Sequence, residues 1–213
     1  MPTITAVLFD LDGTLIDSIE LIRQSFRHTM RVHFGTEPKE NDWLQGLGTP
    51  LRQQFRVFTQ DAAQIEALMV TYREFNSANH DAMIKEYAGA NAAVRSLKHR
   101  GIKLGVVTSK LTLGAHRGLA VGGFDGLFDV VVGADDVTVH KPEAAPVLFA
   151  LDKLGIAPAN AVMVGDSPHD ITAGHRAGTQ TAAALWGPFS RAMLEPARPH
   201  RWLTSPSEMA TLA

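Results

Sequence analysis

Asp10 and Asp12 stand two residues apart, directly after an apolar run at residues 4–9. A buried run seldom ends in two carboxylates without a cation nearby, because an isolated charge in apolar surroundings is costly. The bland alternative is an Asx turn or a helix cap. Two more polar groups end similar runs, Thr108-Ser109-Lys110 and Gly165-Asp166-Ser167-Pro168-His169-Asp170, and His140-Lys141-Pro142 lies in the loop before Glu143. Carboxylate oxygens are the donors Mg2+ prefers, and that ion keeps waters and a substrate phosphate oxygen around it.

The chemistry this suggests is phosphoryl transfer. A carboxylate attacks phosphorus only when the phosphoryl charge is neutralised, and a metal touching both groups does this and orients them. Asp10 is then the candidate nucleophile and a metal ligand. Asp12 is a second ligand and the general acid, then the general base for the hydrolytic water. Gly13 lets the chain turn sharply beside the phosphate. Thr108 donates to a phosphoryl oxygen, with Ser109 beside it, and Lys141 supplies positive charge where negative charge develops. Asp166 is expected on the metal; Asp170, one helical turn on, either joins it or holds Lys141. Taken singly, each has a plainer reading. A threonine at a strand end is structural, most lysines are solvated, and Asp166 and Asp170 serve equally as an N-cap and a helix-face charge. The functional reading rests on the four segments occurring together.

Such groups need a scaffold that gathers strand ends, and the chain supplies one. Apolar runs recur at 103–108, 129–133, 161–165 and 180–185. Helical stretches at 90–100, 143–154 and 168–177 lie between them, followed by the stop residues Gly101, Gly155 and Gly178. This alternation predicts an α/β fold with a doubly wound parallel sheet, whose ligands bind at the carboxyl ends of the strands. Residues 17–83 break the rhythm, with helices expected at 19–32, 50–58 and 61–78. Leu21, Ile22, Ser25, Phe26, Thr29 and Met30 share one helical face. The expected division is a catalytic core at 1–16 and 84–213 and a helical domain at 17–83. The proline-bearing tail from 187 is expected to close the sheet edge with short elements.

In the insert, Arg23, Gln24 and His28 lie near one face of the first helix and are candidates to reach a substrate; packing is the alternative for His28. The turn-rich loop Gly46-Leu47-Gly48-Thr49-Pro50 makes Gly48 a candidate substrate contact. Arg52 binds a phosphate or sits in water, and Trp43 is expected in the core. His80 and Asn76 are candidates to steady the hinge.

The 213 residues include 20 basic and 22 acidic side chains, a net charge of −2. No basic excess argues for nucleic acid or an anionic membrane. No apolar run approaches the ~18 residues of a membrane helix, and the N-terminus lacks the pattern of a signal peptide. The lack of cysteine excludes disulfides and thiolate chemistry. Cytoplasmic location, a small phosphorylated substrate and a monomer or homodimer are the corresponding expectations.

The four segments resemble the motifs of the haloacid dehalogenase (HAD) superfamily, in the right order. Asp10-Leu11-Asp12-Gly13-Thr14-Leu15 matches the first, Thr108 the second, Lys141-Pro142 the third and Gly165-Asp166-Ser167-Pro168-His169-Asp170 the fourth. The resemblance implies a Rossmann-like core, a Mg2+ cofactor, the roles given above and a mobile helical cap. It also implies that the Asp10 main-chain nitrogen and the Asp12 carbonyl join the site. It extends over nearly the whole chain to phosphoglycolate phosphatases and, more closely, to bacterial inorganic pyrophosphatases of the PpaX type, through residues 20–29, 72–81 and 105–110. Pyrophosphate is therefore the favoured substrate, ahead of 2-phosphoglycolate. One departure is Lys141-Pro142-Glu143-Ala144-Ala145-Pro146, where the family has further prolines, which bears on loop stiffness. A sugar phosphomutase would use the same aspartates, whereas a dehalogenase does not require Asp12. A non-catalytic phosphate-binding module would be expected to lack a motif residue, and none is missing.

Overall fold

The structure is a computed structural model that describes residues 3–37, 39, 43–44 and 46–213. Strand β1 (Ala6–Phe9) lies inside a six-stranded sheet with β4 (Lys103–Val107), β5 (Val130–Val132), β6 (Ala161–Gly165), β7 (Gln180–Ala184) and β8 (Arg201–Leu203). The order is β5-β4-β1-β6-β7-β8, and every pairing is parallel. The chain order reverses at β1, with β4 on one side and β6 on the other, which is where a doubly wound sheet opens a crevice.

Alternation along β1 explains why both faces are covered. Val7 and Phe9 join one apolar cluster with Val94 and Leu97 of α4 (Ala90–His99) and Leu119 of α5 (Thr112–Val121). Ala6 and Leu8 point to the opposite cluster, with Val147 and Leu151 of α6 (Ala145–Leu154) and Ala173 of α7 (Pro168–Ala177). A strand buried on both sides reads as a continuous apolar run, as Ala6–Phe9 does. Helices α6 and α7 end on the left-handed residues Gly155 and Gly178. The tail adds β8 as the edge strand beside β7.

Among the described residues, none between β1 and α4 joins this sheet. Ile16–Asp17 (β2) pairs antiparallel with Lys85–Glu86 (β3), a ribbon at the point where the chain leaves for α1 (Ile19–Phe34), α2 (Leu51–Phe55) and α3 (Ala62–Met83) and then returns. The buried face of α1 is Leu21, Ile22, Ser25, Phe26, Thr29 and Met30, the face its periodicity predicts. Ser25 and Thr29 lie inside it because their hydroxyls donate to the carbonyls of Leu21 and Ser25 at 2.7 and 2.8 Å. Phe26 stacks on Phe55 with centroids 5.4 Å apart, and Leu68 of α3 is fully buried in the same cluster. Trp43 is in that cluster too.

The structure corrects several expectations about elements. Helix α2 is shorter than 50–58, and α3 continues to Met83 past the expected end at 78. The added turn is held in place because His80 is buried and Asp81 accepts from Arg117 of α5 at 2.9 Å. Helix α5 was not anticipated because Gly114 and Gly118 interrupt its pattern. At Gly118 a Cβ would lie 3.0 Å from Ile16, so the glycine records close packing. The two-residue ribbon has no sequence signal of its own. Among the described residues, no helix is long and apolar enough to cross a membrane.

Candidate active site

The carboxyl ends of β1, β4 and β6 deliver Asp10, Thr108 and Asp166 to one place. The Asp10 main-chain N–H donates to Val164 of β6, and that of Thr108 to Val132 of β5. Each side chain therefore leaves a backbone already fixed by the sheet. Gly13 turns the chain after Asp12 with φ +87°, and a Cβ there would lie 2.6 Å from Asp166 Oδ2. Glycine is required on both counts. Thr14 Oγ1 then donates to Asp166 Oδ1 at 2.7 Å, and Trp186 Nε1 holds the Thr14 carbonyl at 3.0 Å.

Lys141 is buried under this floor, and its ammonium uses all three donors: Asp10 Oδ1 at 2.7 Å, Asp170 Oδ1 at 2.6 Å and the Val107 carbonyl at 2.9 Å. The other oxygen of Asp170 accepts from the Ser167 main chain and hydroxyl. Asp170 thus holds Lys141 and closes a capping box at the start of α7. Burial acts against the Lys141 ammonium, but the charges of Asp10 and Asp170 outweigh it and hold its pKa above the usual lysine value. Burial also raises Asp10 to about 7, against the pull of Lys141. Asp166 is pushed well above the carboxylate range by burial and then by the negative charges of Asp10 and Asp170.

Ligand oxygens of Asp10, Asp166 and Asp170 lie within 4.8 Å of one another. Lys141 pairs with the first and third; among the described residues no cation pairs with Asp166. Two buried carboxylates held above their ordinary range, with one lysine serving only one of them, are a donor set that fits a hard divalent cation. Asp12 stands outside that group of three. Its Oδ1 accepts from Ser18 Oγ at 2.6 Å and Lys110 Nζ at 2.7 Å.

These groups open into a cavity of about 1120 Å³, lined by Asp10, Asp12, Thr108, Ser109 and Asp166 on one side. Residues of the helical insert, among them Gly48, Arg52, Tyr72, Arg73 and Asn76, line the other. Ser109 Oγ donates to the Gly48 carbonyl at 2.6 Å, across the cavity's edge. Gly48 has φ +89°, and a Cβ there would come within 3.0 Å of Ser167 Oγ. Burial and the nearby charge of Asp12 push the Tyr72 phenol up.

A family model described as haloacid dehalogenase-like hydrolase matches residues 7–184, which span every element that carries this site. The chain belongs to that hydrolase family. The hydrolase is 42% identical to pyrophosphatase PpaX of Bacillus cereus over 206 residues, covering 97% of this chain and 94% of the relative. Among solved structures it is similar to a haloacid dehalogenase-like family hydrolase of Streptococcus pneumoniae. That match has a TM-score of 0.84 at 26% identity and covers 98% of this chain and 97% of the other. A predicted phosphatase of Clostridium acetobutylicum gives 0.87 at 27% identity, with 98% and 97% covered.

Of the candidate residues in the hydrolase, Asp10, Asp12, Thr108, Ser109, Asp166 and Gly48 line the common cavity. Lys141, Asp170 and Gly13 sit against its floor. Arg23 is absent from the cavity lining; it pairs with Glu20 on the exposed side of α1, where Gln24 also donates to Glu20. His28 stacks on Phe75 at 4.5 Å. Arg52 reaches the lining but is paired with Glu66. Asn76 donates to Ser25, bracing α3 on α1. Sequence reasoning gave no role to Thr14, Ser18 or Lys110. Thr14 and Lys110 stood inside the quoted segments, but their partners lie 152 and 98 residues away.

Proposed function

We propose that this hydrolase is a magnesium-dependent phosphatase that forms an aspartyl-phosphate on Asp10, with inorganic pyrophosphate as its substrate. The observation that carries the reaction class is the buried acidic group around Asp10 and Asp166, backed by Lys141 and open to a cavity. The substrate follows from the 42% identity to a pyrophosphatase over nearly the whole of both chains.

Asp10 and Asp166 would hold Mg2+, together with the Asp12 carbonyl that the family resemblance implies and with Asp170 close behind. The bound ion supplies Lewis-acid neutralisation of the phosphoryl oxygens. The Asp10 carboxylate attacks phosphorus, making an acyl-phosphate bond while the bond from phosphorus to the leaving oxygen breaks. Asp12 gives its proton to that oxygen and later takes one from the water that attacks the acyl-phosphate. The Asp10 carboxylate is then restored and phosphate leaves. Ser18 and Lys110 both occupy Asp12 Oδ1, so Oδ2 is the atom that carries the transferred proton. Thr108 and Lys141 stabilise charge on the transferring group. Residues 17–83 act as a cap over a core of 1–16 and 84–213, with the β2–β3 ribbon as the hinge, excluding bulk water when closed.

The test is a substrate panel with Mg2+ containing pyrophosphate, 2-phosphoglycolate and sugar phosphates. Pyrophosphate is expected to give the highest kcat/KM, with Asp10→Asn inactive on all of them. A higher value for 2-phosphoglycolate would remove the substrate assignment. Near-normal turnover by Asp10→Asn would remove the mechanism.

A further inference from the structure

We propose that Lys110 binds the leaving phosphate, transferring from Asp12 to it when substrate enters, and so selects diphosphates over monoesters with uncharged leaving groups. This rests on the pyrophosphate reading above.

Geometry places Lys110 for this task. Its main chain is anchored on both sides: the N–H donates to Thr108 Oγ1 at 3.2 Å, and the carbonyl accepts from Ala134 at 2.9 Å. The stem crosses Gly114, where a Cβ would come within 3.2 Å of Lys110 Cγ. The side chain is 17% exposed, and its ammonium is 2.7 Å from Asp12 Oδ1. The oxygen that receives the Asp12 proton must lie against the Asp12 carboxylate. A cation already bound to that carboxylate is therefore adjacent to the group that departs.

The other cations at the cavity are paired or stand exposed on the insert side. Lys141 has all three donors engaged. Arg117 is held by Asp81 and Ser77, and Arg52 by Glu66. Arg56 and Arg73 line the insert side and are exposed. An ammonium has three donors, and Asp12 takes one of Lys110's. A departing phosphate is an anion that can bind the other two and draw the ammonium from Asp12, whereas an uncharged leaving group offers it no opposite charge.

The experiment compares kcat and KM for pyrophosphate and for a sugar phosphate, whose alcohol leaves uncharged, with Mg2+, in the wild type and in Lys110→Met, Lys110→Gln and Lys110→Arg. Met and Gln are expected to raise KM for pyrophosphate about tenfold to a hundredfold, the weight of a hydrogen bond to a charged group. The ratio of the two kcat/KM values should fall by a similar factor, and Arg should recover most of it. Gln keeps the polar stem and carries the test where Met fails to fold. If both neutral variants slow the two substrates equally, Lys110 serves only Asp12 or the fold, and the proposal is overturned. A wild type without pyrophosphatase activity removes the pyrophosphate reading and this proposal together. A wild type with that activity but variants with an unchanged ratio removes this proposal alone.

Discussion

At the residue scale, Asp170 and Lys141 show how a buried charge is made tolerable. Asp170 is fully buried, with one oxygen on the Lys141 ammonium and the other on Ser167. Removing one member of such a pair strands the other in a medium that solvates it poorly. Asp170→Ala is expected to destabilise the protein by about 3–5 kcal/mol, measured by urea unfolding; a loss near zero would mean that Lys141 repairs itself on Asp10 alone. Asp12 occupies a different setting, partly buried and lining the cavity. Asp12→Asn keeps its shape while removing its proton-transfer capacity. It is expected to lower kcat by about 10²–10⁴ with little change in thermal stability.

At the scale of elements, strand ends and turns set the site, and the helical insert sets its roof. Gly13→Ala would force a Cβ onto the Asp166 carboxylate from a backbone at φ +87°. Activity is expected to disappear together with any stabilisation by Mg2+, seen as a Tm that no longer responds to the ion. Within the insert, Leu68 is fully buried beside Phe55 and Ile65. Leu68→Ala should cost about 2–5 kcal/mol. If the insert unfolds separately from the sheet, that loss will appear as an early transition in calorimetry, before the main one.

At the scale of the molecule, the acidic site links stability to pH. Asp10 is raised from 3.8 to about 7, and Asp166 is raised as well. Between those values the folded protein holds protons that the unfolded chain has released. The contribution of these groups is therefore fully present at low pH and is lost as pH climbs through the folded pKa. A divalent cation binds the ionised form and restores what deprotonation removes. The rise in Tm on adding Mg2+ should thus be larger at about pH 8 than at about pH 5, and chelation should reverse it. An equal rise at both values would show that the ion binds elsewhere.

The sequence by itself determined the parts that depend on local pattern. The β1 run predicts a two-sided buried strand because every residue in it is apolar, and α1 shows its buried face because apolar and small residues recur at helical spacing. The polar segments at successive strand ends mark the site because a parallel sheet collects those ends on one edge. Tertiary structure alone decided who meets whom. Thr14 reaches Asp166, Lys110 reaches Asp12 and Lys141 reaches Asp10 across separations of 152, 98 and 131 residues, through a strand order that no local pattern encodes. Arg23 turning to Glu20, and α5 forming through two glycines, were settled the same way. A side chain's direction depends on the neighbours packed around its element, and those come from distant parts of the chain.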